Sequence, residues 1–118
     1  MKKTIMIVDD EEDIRNSIKT ILEKNGYNVT TAMDGEDCLK KIDDVNPDLI
    51  LLDIMMPGKP IDDIVKKIRD TKIAYMSVMK ISDARKKGLF KQENIVDFLQ
   101  KPFNVYELIS RVELILKI

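Results

Sequence analysis

Histidine and tryptophan are absent from this 118-residue sequence, and there is one cysteine, Cys38. Without histidine the chain has no Ser-His or Cys-His pair, no zinc site of the His-bearing kinds, and no phosphohistidine of its own. A lone cysteine rules out an internal disulfide and fits a reducing compartment. An excess of charge is missing too: 20 Lys and Arg against 21 Asp and Glu leave −1, so nothing draws the chain globally to nucleic acid or an anionic membrane. No apolar run approaches the roughly 18 residues of a membrane span, and the short apolar stretch after Met1-Lys2-Lys3 is not expected to be a signal peptide. Four glycines and four prolines mark turns, but no linker, repeat or low-complexity tract divides the chain. One domain over 1–118 is expected, large enough to bury about two-thirds of its unfolded surface. The chemistry left to it is that of carboxylates, hydroxyls and lysines.

Short apolar runs alternate with amphipathic stretches from end to end. Strands are expected over 4–8, 27–31, 49–52, 73–78 and 95–99. Ile5-Met6-Ile7-Val8 and Leu49-Ile50-Leu51-Leu52 are apolar at every position, as in parallel strands covered on both faces. Ile14, Ile18, Ile21 and Leu22 make one helical stripe, ended by Gly26 as its C-cap. Cys38, Leu39, Ile42 and Val45 make a second, opened by Asp34 as N-cap. Ile61, Ile64, Val65 and Ile68 follow Pro60 in a first helical turn. Val105, Leu108, Ile109, Val112, Ile115 and Leu116 form the strongest stripe, with Asn104 and Glu107 spaced as a capping box. Residues 82–94 carry only Ala84, Leu89 and Phe90 as an apolar face, interrupted by Gly88, and predict a short, irregular helix. Five β-α units with such short connections give an α/β fold, a doubly wound parallel sheet with helices on both faces.

In such sheets ligands bind beyond the carboxyl ends of the strands. The first strand ends in Asp9-Asp10 and the third in Asp53. The fourth ends near Ser77, and the fifth runs into Lys101-Pro102. Taken singly, each residue has a plainer role: a helix cap, a turn carboxylate, a strand hydroxyl, a solvated lysine. Glu11, Glu12 and Asp13 read as helix N-terminal acids, Cys38 and the methionines as core, and Lys40-Lys41, Lys66-Lys67 and Lys86-Lys87 as solvated helix faces. Together the strand ends say more. Adjacent carboxylates near a third repel unless a cation joins them, and hard oxygens with water and a backbone carbonyl suit Mg²⁺. A cation, an ammonium and a hydroxyl around one more carboxylate oxygen suit an incoming phosphoryl group, which that carboxylate attacks in line.

These residues resemble the receiver domain of two-component response regulators. The resemblance rests on Ile5-Met6-Ile7-Val8-Asp9-Asp10-Glu11, on Leu51-Leu52-Asp53-Ile54-Met55-Met56-Pro57-Gly58, on Ser77, and on Lys101-Pro102-Phe103, and it spans the chain. It implies a flavodoxin-like three-layer sandwich with strand order 2-1-3-4-5. It further implies Asp53 as phosphoacceptor, Mg²⁺ as cofactor held by Asp10, Asp53 and the Met55 backbone carbonyl with Asp9 acting through water, Lys101 on a phosphate oxygen, and a cis Lys101–Pro102 bond. Ser77 resembles the switch hydroxyl and Phe98 the switch aromatic, which turns inward as Ser77 moves toward the phosphate. The partners implied are a sensor histidine kinase as phosphodonor and a downstream protein target or effector domain, met as monomer or phosphorylation-linked dimer. No direct nucleic-acid or membrane contact is implied, and the expected location is cytoplasmic. The sequence fits a stand-alone regulator and the receiver portion of a longer one equally. It is read as a signalling switch, not an enzyme.

Four positions depart from the pattern: Ile61 for the usual Gly, Val78 where a smaller residue is common, Phe98 for Tyr, and Gln92-Glu93-Asn94 for Gly-Ala. They leave the Asp, Ser and Lys set intact and put the output switch, not the chemistry, in question, so a pseudo-receiver insensitive to phosphorylation is the competing reading. Val78 is expected to tighten access to the site. Met55 and Met79 flank the site with apolar side chains that orient no water, which predicts slow loss of phosphate. A haloacid-dehalogenase-type phosphatase would need a second Asp where Met55 stands, and the acidic loop after the first strand would repel a flavin phosphate.

Overall fold

The computed structural model describes residues 2–117. Strands β1 (Thr4–Val8), β2 (Asn28–Ala32), β3 (Leu49–Asp53), β4 (Lys72–Ser77) and β5 (Ile95–Gln100) alternate with helices α1 (Glu12–Lys24), α2 (Gly35–Val45), α3 (Ile61–Val65), α4 (Ile81–Lys86) and α5 (Val105–Leu116). All strands pair in parallel, in the order β2-β1-β3-β4-β5. Among the described residues no helix is long and apolar enough to cross a membrane.

The uninterrupted apolar runs serve two cores, because successive strand side chains point to opposite faces. Ile5, Ile7, Leu49, Leu51, Ala74, Met76 and Leu99 pack on Ile18 and Leu22 of α1 and Leu108, Val112 and Leu116 of α5. Met6, Val8, Ile50, Leu52, Ile73, Tyr75, Ile95 and Phe98 pack on the opposite side, against Cys38 of α2, Ile64 and Val65 of α3 and Ala84 of α4. Burial raises the Cys38 thiol to about 11, so it serves as an inert core group.

The helix punctuation follows the sequence. The Asp34 carboxylate accepts from the Asp37 N–H at 2.8 Å and the Asn104 side chain from the Glu107 N–H at 2.8 Å. Each such cap contributes about 1 kcal/mol. The expected capping box at α5 is only half formed, for the Glu107 carboxylate lies 3.9 Å from the Arg111 guanidinium instead. After α1, Gly26 takes φ +92° while the Tyr27 N–H reaches the Leu22 carbonyl, a Schellman closure that glycine makes without strain.

Two helices are shorter than their apolar patterns. α3 stops at Val65, and Ile68 reaches the core through tighter three-residue turns, Lys67 N–H to Ile64 O and Ile68 N–H to Val65 O. Carbonyls at this truncated end accept further bonds from the α4–β5 connection. The Gln92 amide donates to Val65 O at 2.9 Å and Ile68 O at 3.1 Å, and the Asn94 amide to Ile68 O at 2.7 Å and Thr71 O at 2.8 Å. The departure at residues 92–94 is thus a polar clasp for a truncated helix. α4 ends just before Gly88, at φ +74°.

A bulge in β5 decides what that strand shows to each face. Ile73 pairs with Ile95, but Ala74 pairs with Asp97. Ile95 and Phe98, three residues apart, therefore face the same core, while Asp97 turns toward α5. There Arg111 Nε donates to Asp97 Oδ2 at 2.7 Å, and its Nη2 bonds both Asp97 Oδ1 and the Phe98 carbonyl at 3.2 Å. Burial pushes the Asp97 carboxyl upward, yet the Arg111 hydrogen bonds outweigh it and hold the group below its ordinary value.

An acid held low in the fold stabilises it above the unfolded value near 3.9 and loses that contribution as pH falls through the folded one. Arg111→Ala should lower stability by about 1 kcal/mol near neutral pH, solvent screening of the half-exposed guanidinium having reduced the effect. The deficit against wild type should shrink as chemical denaturation is repeated from pH 5 downward.

Candidate functional site

Strand parity sets the site as it sets the cores. Asp9 continues the Ile5 and Ile7 side of β1, Asp53 the Leu49 and Leu51 side of β3, and Lys101 the Leu99 side of β5, so all three emerge toward the α1–α5 face. Ser77 continues the Ile73 and Tyr75 side of β4, toward α4. The Lys101 N–H donates to the Ser77 carbonyl at 2.8 Å and so holds the ends of β4 and β5 together.

Asp9 is wholly buried and Asp53 is 6 % exposed, while Asp10 faces solvent. Carboxylate oxygens of the three lie within 4.8 Å of one another. The Lys101 ammonium bonds Asp9 Oδ2 at 2.9 Å and stands 3.7 Å from Asp53 Oδ2. Asp9 Oδ1 also accepts the Glu11 N–H at 2.9 Å, and Asp53 Oδ1 the Met55 N–H at 3.0 Å. Burial raises the Asp53 pKa, against the pull of the Met55 N–H and Lys101, and the Asp9 and Asp10 charges add to the rise. Burial lowers the Lys101 pKa, but its Asp9 bond and the carboxylate charges raise it overall, so the ammonium keeps its proton. Three carboxylates thus share one ammonium. That hard, oxygen-rich and under-neutralised set fits a hydrated divalent cation.

The structure brings Asp9, Asp10, Asp53 and Lys101 together, with Ser77 at the neighbouring strand end. The Ser77 hydroxyl, 0 % exposed, accepts the Met79 N–H at 3.0 Å, which leaves its own proton free to donate. Met55 lies at the rim, 52 % exposed, and Val78 is 64 % exposed rather than packed over the pocket. The Lys101–Pro102 bond is cis. Phe98 does not join the site. It lies on the α4 side, 5 % exposed, its ring 6.4 Å from Tyr75 and 6.0 Å from Phe90. The ring thus lies inward, the placement that the resemblance gives the switch aromatic once it has turned.

Two supporting residues escaped the sequence reading. Arg15, one turn into α1, donates to the Asp9 carbonyl at 2.7 Å. The Gln100 amide donates to Val78 O at 2.9 Å and Ser77 O at 3.2 Å. Both act on backbone carbonyls, which no side-chain motif advertises.

Fold and site define a doubly wound α/β domain whose carboxyl edge holds an acidic pocket closed by one lysine. The family model for the response regulator receiver domain matches residues 5–113. The alkaline phosphatase synthesis transcriptional regulatory protein PhoP of Bacillus subtilis is 38% identical over 119 residues, 99% of this chain and 50% of that protein. The chain thus spans about half the length of the curated relatives it matches. A two-component response regulator from Clostridium difficile superposes with a TM-score of 0.88 at 28% identity, over 98% of this chain and 97% of that one. Response regulator TrrA from Thermotoga maritima, solved in complex with Mg²⁺ and BeF, gives 0.81 at 35% identity, over 96% and 98%. The chain belongs to the response regulator receiver domain family. It is a signalling switch of the two-component kind.

Two buried carboxylates competing for one ammonium should cost folding stability when no divalent cation is present. Asp53→Asn should therefore melt above wild type at neutral pH in chelator, and added Mg²⁺ should raise the wild-type melting temperature more than the variant's. Differential scanning fluorimetry with and without Mg²⁺ checks both.

Proposed function

We propose that Asp53 accepts a phosphoryl group from the phosphohistidine of a partner sensor kinase, with Asp9, Asp10, Asp53 and the Met55 carbonyl holding Mg²⁺. The observation that carries this reading is the buried Asp53 carboxylate, 3.7 Å from Lys101 and within one cluster with Asp9 and Asp10. Mg²⁺, when bound, offsets charge on the transferring group and aligns its oxygens. An Asp53 oxygen attacks phosphorus in line. The P–N bond of the donor breaks, and its electron pair stays on the departing imidazole of the partner. Lys101 then exchanges part of its Asp9 contact for a phosphoryl oxygen, and the free Ser77 proton donates to another.

The surface supports two partner-facing regions. Among the described residues, the exposed large apolar side chains Met33, Met55 and Val78 follow β2, β3 and β4 at the carboxyl rim of the sheet. Ile81, Val96, Val105, Tyr106 and Leu114 lie on α4, β5 and α5. The rim would meet the kinase, and the α4–β5–α5 face a downstream protein, a second copy, or an effector domain of a longer chain. A cytoplasmic location follows from the same reading.

Incubation with Mg²⁺ and a small phosphodonor should add one phosphoryl mass to the wild type and none to Asp53→Ala, measured on the intact protein. No gain in either would leave the pseudo-receiver reading in its place. The apolar Met55 beside Asp53 should make the acylphosphate long-lived. Met55→Glu or Met55→Asn, each able to orient a water, should shorten that lifetime roughly tenfold, and an unchanged lifetime would count against the role given to Met55.

A further inference from the structure

Every polar atom of Asp9 has a partner. Its N–H donates to the Ala32 carbonyl at 3.2 Å, its Oδ1 accepts the Glu11 N–H at 2.9 Å, and its Oδ2 accepts the Lys101 ammonium at 2.9 Å. Its carbonyl accepts from Arg15 Nη1 at 2.7 Å. The Arg15 N–H meanwhile donates to the Glu11 carbonyl at 3.1 Å. One residue of α1 therefore holds the carbonyls on either side of Asp10, by its side chain before it and its backbone after it. Asp10 is the exposed member of the carboxylate cluster. Packing does not aim its carboxylate; the backbone it projects from does.

We propose that Arg15 is a positioning residue for the divalent cation: by holding the Asp9 carbonyl it fixes the Asp9–Asp10 peptide and so aims the Asp10 carboxylate toward those of Asp9 and Asp53. The aiming of Asp10 at a metal rests on the Mg²⁺ reading; the fixing of the peptide does not. The sign of the effect separates geometry from charge. A guanidinium beside a cation site repels the cation, so through charge alone Arg15 opposes Mg²⁺ and its removal would tighten binding. Through geometry it favours Mg²⁺, because a ligand held in place by its supporting hydrogen bonds has less freedom to lose when the metal binds. The bond it makes points to the second role. An arginine placed to neutralise the cluster would pair with a carboxylate, yet among the described residues the cluster's ion pairs are those of Lys101 alone, and the Arg15 guanidinium bonds a backbone oxygen instead.

The test follows a Mg²⁺ titration of the metal-free, ¹³C,¹⁵N-labelled chain by its amide resonances, with the Asp9 carbonyl ¹³C line recorded in chelator. Arg15→Met keeps an unbranched stem without donor or charge, and Arg15→Lys restores the charge and one donor in place of the fork. Both are good helix formers and should fold. Arg15→Met should weaken Mg²⁺ binding roughly tenfold and move the Asp9 carbonyl line upfield. Arg15→Lys should recover most of the affinity and most of the shift. Mg²⁺ binding by Arg15→Met as tight as wild type or tighter, an unmoved Asp9 line, or no recovery in Arg15→Lys would overturn the proposal. A wild-type chain that takes up no Mg²⁺ would instead defeat the metal reading and the clause that rests on it. The Asp9 line, read without metal, would still decide whether Arg15 fixes the peptide.

Discussion

The site turns on a shortage of positive charge. Asp9 and Asp53 are both buried at the carboxyl edge of the sheet, and Lys101 bonds one at 2.9 Å while standing 3.7 Å from the other. Strand parity compels this arrangement: on the α1–α5 face Ile5 and Ile7 lead to Asp9, Leu49 and Leu51 to Asp53, and Leu99 to Lys101. Hydrophobic burial of the strands thereby places carboxylates where hydration is poor and one ammonium cannot neutralise them. Such a set favours a bound cation and, on the proposed reading, a transferring phosphoryl group whose charge the same cation and Lys101 share.

Much of this was legible because it is written in consecutive residues. Continuous apolar runs announced doubly covered parallel strands, and β1 matches its expected span, while β3 and β5 run one residue longer and β2 and β4 are shifted by one residue at both ends, where the pattern gives no sharp boundary. Asp34, Asn104 and Gly26 cap or close their helices as local chemistry requires. The length of α3 was not legible. Ile61, Ile64, Val65 and Ile68 keep helical spacing, yet the chain leaves the helix at Val65 and still buries Ile68, where Gln92 and Asn94, more than twenty residues away, bond the carbonyls of the truncated end. A bond from a distant side chain to a backbone oxygen leaves no local pattern.

The same limit hid Arg15 and Gln100. Both stabilise backbone groups beside site residues, Arg15 at the Asp9 carbonyl and Gln100 at the two carbonyls after β4. The residues that do chemistry announce themselves through type and spacing. The residues that aim them act through carbonyls common to every position, so only the fold reveals them.

The β5 bulge links the two faces of the sheet. One extra residue near Val96 puts Ile95 and Phe98 on the α4 face and turns Asp97 to Arg111 on the α5 face. Without it, regular alternation from Ile95 would direct Phe98 toward α5 and Asp97 toward the apolar core beneath α4, burying a carboxylate away from its only ion-pair partner among the described residues. Arg111 also bonds the Phe98 carbonyl at 3.2 Å, so the ion pair that anchors α5 fixes the backbone of the aromatic residue under α4. Phe98 lies three residues before Lys101 on the same strand. Its inward position is therefore set from two directions, by the Asp97–Arg111 pair on one face and by Tyr75 and Phe90 on the other.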